Sequence, residues 1–243
     1  MIGGENDLQR FINMLETISK KYNYNFSDFF KKLWNDGQID WYKGWDEPWS
    51  EERNWFTEVY PTIKNNPPVL LHTGSDFEML SEKEMLHYEF CEWWDTKHKF
   101  VPFGQTGAGD LYAFYQNIEI EGEHPIVLVW HDCNETQILS KNLEDFIFRM
   151  MMEKIVNITE DDSESLYYQG NRDALRKALL ADLETAKKYL NSKYIDILDE
   201  VYNRPFEDIE NIISVEELKK VFAATIHFDL MDTKFEHEEP YVG

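Results

Sequence analysis

Residues 100–115 constrain the fold more than any other part of this 243-residue chain, reading Phe100-Val101-Pro102-Phe103-Gly104-Gln105-Thr106-Gly107-Ala108-Gly109-Asp110-Leu111-Tyr112-Ala113-Phe114-Tyr115. A short apolar strand enters a turn with three glycines, an acid closes the turn and an aromatic strand leaves it. Gly104, Gly107 and Gly109 are expected to take the positive φ that such a turn needs, with Asp110 bonding local backbone N–H groups. No Lys-Ser or Lys-Thr follows the glycines, and the next element reads as a strand. A phosphate loop would instead lead into a helix whose N-terminus holds the anion. Ile126-Val127-Leu128-Val129-Trp130-His131-Asp132 then supplies a further strand. The expected strands are residues 99–103, 111–117, 126–131 and 136–139, and their short connections point to antiparallel pairing.

Helices surround this region. Leu8, Phe11, Ile12, Leu15 and Ile18 share one helical face ending at Lys20 and Lys21, cations suited to a helix C-terminus. Ser27 or Asp28 can cap a second helix carrying Phe29, Phe30, Leu33 and Trp34, which Gly37 stops. Tryptophans and acids then alternate up to a helix expected from Ser50 to Tyr60, broken by Pro61. Strand-like residues from Pro67 lead to a turn at Thr73–Asp76. Ser81 and Glu84 form a capping box for a helix with Met85, Leu86, Phe90, Trp93 and Trp94 facing inward. Ser140 or Asn142 caps a closing helix through Leu143, Phe146, Ile147 and Met150. The acidic run Thr159–Glu164 reads as a linker or solvated loop, and helical periodicity resumes beyond it. A capping box at Ser214 opens the last helix, and residues 237–240 are expected to be loose. The fold class is therefore α+β: an antiparallel sheet packed by helices over residues 1–157, and a helical C-terminal extension over 158–243.

The order of Pro102-Phe103-Gly104, Gly109-Asp110 and the strand ending Trp130-His131-Asp132 resembles the signature of the SUKH superfamily. That superfamily includes fungal cell-wall-assembly regulators and bacterial toxin-immunity proteins. The resemblance covers residues 8–157. It implies an α+β fold whose curved antiparallel sheet serves as a binding surface, with no catalytic centre. It also implies, for a stand-alone bacterial-type chain, a cytoplasmic immunity role. The chain departs from the pattern in two places: the proline usual at the start of the second helix is absent near Phe26, and the insertion between Gly37 and Pro67 is long and rich in tryptophan.

Charge narrows the partner. With 47 acids against 24 bases the net charge is −23, which repels phosphate backbones and anionic lipid and favours a basic protein, such as a toxin domain. Solubility alone also accounts for an acidic surface. Asp40, Trp41, Trp45, Asp46, Glu47 and Trp49 are the expected partner-binding residues, combining the aromatic anchors and acids that a basic partner would engage. The competing reading packs most of these rings into the core. Cys91 and Cys133 have no zinc-type spacing and cannot make a disulfide framework, so a reducing cytoplasm is expected. Neither a secretion signal nor an apolar run of membrane-spanning length is visible. No cofactor or catalytic residue is expected. Besides immunity, two other roles remain: a regulatory scaffold, and a metal-dependent hydrolase using Asp110, His131, Asp132 and Glu135.

Overall fold

The computed structural model describes residues 4–39, 67–70, 77–156, 172–205 and 212–238. Chain contacts form two compact units, one from residues 1–36, 77–146 and 228–243, the other from 37–76 and 147–227. The expected helix over 50–60, the turn at 73–76 and the acidic run 159–164 lie outside the described residues, as do Asp40, Trp41, Trp45, Asp46, Glu47 and Trp49.

In the first unit α1 (Gly4–Tyr22) ends on Lys20 and Lys21. α2 (Asp28–Asn35) starts at Ser27, whose hydroxyl accepts the N–H of Phe30 and so satisfies one of the free donors of the first turn. β1 (Glu78–Met79) precedes α3 (Glu82–His87), which opens with the reciprocal Ser81–Glu84 capping box. β2 (Phe100–Gln105), β3 (Leu111–Tyr115), β4 (Ile126–Val129), β5 (Thr136–Ser140) and β6 (Lys234–Phe235) complete a six-stranded sheet in sequence order, with every neighbouring pair antiparallel. Asn142, not Ser140, caps α4 (Leu143–Glu153), its side-chain oxygen accepting the N–H of Asp145. The fold is α+β, with an open antiparallel sheet and a helical C-terminal part.

One face of the sheet is aromatic. Tyr24, Phe26 and Phe30 pack on Phe114 at ring separations of 5.4, 5.9 and 5.5 Å, and Phe103 and Phe146 continue the cluster. Phe114 projects to this side, so its neighbours Ala113 and Tyr115 project to the other. All five residues of β3 are nevertheless buried, and so are the first five of β2. The centre of the sheet is thus covered on both faces among the described strands.

In the second unit α5 (Arg172–Ala186), α6 (Ser192–Tyr202) and α7 (Val215–Thr225) follow the later turns of α4. Asn191 caps α6 and Ser214 caps α7 through their side-chain oxygens. Leu175, Leu179, Leu183, Leu198, Val201 and Phe222 are buried, and the rings of Phe148 and Tyr194 stack at 4.0 Å. Lys154 and Asp182 form an ion pair of 2.6 Å inside this unit.

Three local expectations are overturned. The helix from Ser81 stops at His87, because Tyr88 has the extended ψ of 127°, so Trp93 and Trp94 do not share its inner face. Gly104 lies within β2 and not in the turn. His237, expected to be loose, is wholly buried just beyond β6, which pairs with β5, while residues 239 and 240 lie outside the described residues.

Candidate functional site

The glycine turn is closed by Thr106 and Asp110. The N–H of Thr106 donates to the carbonyl of Asp110 at 2.8 Å, that of Gly109 to the carbonyl of Thr106 at 2.9 Å, and that of Asp110 to the Thr106 hydroxyl at 2.9 Å. Among the three glycines proposed for the turn, only Gly109 has a left-handed φ, at +98°. No atom lies within 4 Å of where its Cβ would stand, so a side chain there meets backbone strain but no clash. Gly109→Val is expected to cost about 1–2 kcal/mol, whereas Gly107→Val, on an exposed residue, should stay within about 0.5 kcal/mol. Urea denaturation of the two variants checks this ordering.

Asp110 also reaches the loop after β4. Its Oδ1 accepts the backbone N–H of His131 at 3.1 Å and lies 2.7 Å from the ring Nδ1 of the same residue. Asp132 comes near enough for one ligand atom from each of Asp110, His131 and Asp132 to lie within 4.8 Å of the others. Glu135 is not with them, for it pairs with Lys234 at 2.5 Å, whose ammonium stands 4.5 Å over the ring of Trp130. The structure thus brings together three of the four residues that a metal-dependent hydrolase would use. It gives Asp110 a different task, holding two loops in register by accepting both hydrogen bonds that His131 offers on that side. Cys133, next in the loop, is a poor nucleophile: loss of solvation, then the carboxylates of Asp132 and Glu135, push its thiol up.

The clearest binding feature among the described residues lies elsewhere. Trp93 is 58% exposed, more than any other large hydrophobic residue described, and Glu89 and Glu92 beside it are exposed too. Its backbone is held from both sides. Lys21 donates to the carbonyls of Leu86 and Tyr88 at 2.8 and 2.9 Å, and Asp95 donates its N–H to the carbonyl of His237 at 2.8 Å. Trp94 is buried against Phe90, Phe100 and His237. A ring so presented needs little ordering on binding, which lowers the entropic cost of using it as an anchor. Helical periodicity misses Trp93 because it carries the helix past Tyr88.

No helix among the described residues is long and apolar enough to cross a membrane. No curated protein and no solved structure shows significant similarity to the chain. Residues 12–149 match the SMI1 / KNR4 family, SUKH-1. That match spans more than half of the chain and contains the Pro-Phe-Gly, the Gly-Asp turn and the His131 loop that Asp110 ties to it. The chain belongs to the SMI1/KNR4 (SUKH-1) family.

Proposed function

We propose that this chain is a non-catalytic cytoplasmic binding protein whose role is immunity, occluding a basic toxin domain. The observation that carries the reading is the family match over residues 12–149, since the family's roles are immunity and regulation. The net charge of −23 supports a basic partner, and a nuclease fits well because its cleft must be cationic to hold phosphates. Trp93 with Glu89 and Glu92 provides the aromatic anchor and acidic rim that such a surface would engage. An interface of standard size, about 1,600 Å², is enough for tight binding when a few such anchors are present.

The test uses, in inactivated form, the toxin domain that this reading expects to be encoded beside the gene. Trp93→Ala is expected to weaken its binding by about 2 kcal/mol while leaving the melting temperature unchanged, because the ring is mostly outside the core. Unchanged affinity would remove Trp93 from the interface. The absence of any complex with the parent protein would remove the immunity reading and leave regulation as the family role to pursue.

A further inference from the structure

Residues 232–238 cover one edge of the open sheet. β6 is two residues long and lies outside the family match, yet it covers the edge of β5, pairing Thr136 with Phe235 and Gln137 with Lys234. The contact extends past the strand. Asp232 donates its N–H to the carbonyl of Ile138 at 2.8 Å, Ile138 donates to the carbonyl of Thr233 at 2.9 Å, and the side chain of Gln137 donates to Asp232 at 2.9 Å. Beyond β6 the side-chain oxygen of Asn134 accepts the N–H groups of His237 and Glu238, and Glu238 bridges to Trp94.

Two imidazoles sit under this segment. His237 is wholly buried, its Nδ1 3.0 Å from the Thr136 hydroxyl and its ring 4.9 Å from that of Trp94. His98 has Nδ1 2.7 Å from the Tyr115 hydroxyl and its ring 5.0 Å from Phe235. The Nε2 atoms of both rings are buried with no hydrogen-bond partner among the described residues. A neutral imidazole tolerates this by placing its proton on Nδ1. An imidazolium carries a proton on each nitrogen and would bury a charged donor that no well-formed hydrogen bond receives.

We infer that residues 232–238 form an acid-released latch over the edge of β5, shut while His98 and His237 are neutral and opened by their protonation. The charged and polar groups around the rings do not supply the missing compensation. Asp95 favours a cationic His98, but its carboxylate is bonded to Lys97, whose own cation opposes that charge. Backbone hydrogen bonding from Glu236 favours the charged form of His98 and that from Glu135 the charged form of His237, but in both rings burial outweighs it and no well-formed bond reaches Nε2. Glu135 spends its side chain on Lys234, and Tyr115 offers only a hydroxyl. His98 in turn opposes a charge on His237. Burial is the largest influence on both histidines and holds both below the ordinary value of 6.5.

The sign follows from proton uptake. Well above pH 6.5 the shut and open forms are both neutral, and closure does not depend on pH. Below it the open form takes up protons that the shut form resists, so closure weakens as pH falls. Between pH 7.5 and 5.5 the shut-to-open ratio can fall about tenfold per histidine, or about a hundredfold for the two.

Hydrogen exchange of the full chain at pH 7.5 and 5.5, corrected for intrinsic exchange rates, reads this directly. Amides in 134–138 and 232–238 should lose protection at the lower pH, by up to about a hundredfold, with amides of α6 unchanged. His98→Gln combined with His237→Gln should abolish the pH effect whatever its own level of protection. Should that variant not fold, imidazole C–H titration of the unaltered protein decides instead: both rings must titrate below pH 6.5, with tail exchange following the same midpoint. Equal tail protection at the two pH values overturns the latch. So does a loss shared with α6, a pH effect that survives in the double variant, or imidazoles that titrate at or above 6.5.

Discussion

Lys154→Met should destabilise the protein by about 3–5 kcal/mol, the largest effect expected of any single substitution considered. The Lys154 ammonium and the Asp182 carboxylate are 2.6 Å apart with side-chain exposures of 3% and 5%, so removing the lysine leaves a carboxylate charged and buried without its cation. Tyr202 next to the pair is itself fully buried and donates its hydroxyl to the carbonyl of Met151 at 2.8 Å. Burial first, and Asp182 second, drive that hydroxyl well above its ordinary value, which keeps it a neutral donor. Adding Asp182→Leu to Lys154→Met should recover most of the loss, because a well-packed apolar pair avoids the desolvation cost that the ion pair carries. Urea denaturation of the two variants and the parent measures both numbers. A single variant within about 1 kcal/mol of the parent would mean that water reaches this pair.

Gly104→Val is expected to cost about 3 kcal/mol, for a reason unrelated to turn geometry. A Cβ at Gly104 would lie 2.8 Å from Cε2 and Cζ of Phe77 and 3.2 Å from the carbonyl oxygen of Glu78. The ring cannot swing aside, since Phe103, Tyr112 and Phe146 pack around it at 6.2, 5.1 and 5.9 Å. Gly104 thus permits β1 to approach β2 with an aromatic ring laid over the backbone, next to the register shift between Pro102 and Gly104. Thermal melting should show Gly104→Val far less stable than Gly109→Val. Combining Gly104→Ala with Phe77→Leu should be less destabilising than the sum of the two separate losses. Strict additivity would show that the ring is not the obstacle.

The contrast between these glycines shows where sequence reading stops. A cluster of glycines announces that the backbone does something a side chain would prevent, and both positive φ and close approach produce that signal. Gly109 has the first cause and Gly104 the second, and only the position of Phe77 tells them apart. The central strands and most helix starts were legible because short apolar runs bounded by turn residues, and Ser or Asn caps, are local signals. β6 was not, since two residues, Lys234 and Phe235, carry no strand pattern and gain their pairing from β5 almost a hundred positions earlier. The Asp110–His131 contact is a milder case: both residues stood out as polar groups at strand ends, but which loop would meet which is a matter of tertiary register. Trp93 was misread because its helix ends early, at a Tyr88 backbone angle that nothing in the local composition announces.

The central claim is that this member of the SUKH-1 family works by binding a basic protein, and the most direct measurement is the salt dependence of its association. The purified chain is titrated by surface kinetics with the inactivated toxin domain that the proposal expects beside its gene, and in parallel with duplex DNA, at ionic strengths from about 0.05 to 0.5 M. The expected result is a one-to-one protein complex whose association rate falls steeply with salt while its dissociation rate changes little, and no binding to DNA at physiological salt. Binding to DNA with a steep negative salt slope, together with no complex at any salt with the toxin domain, would contradict the claim.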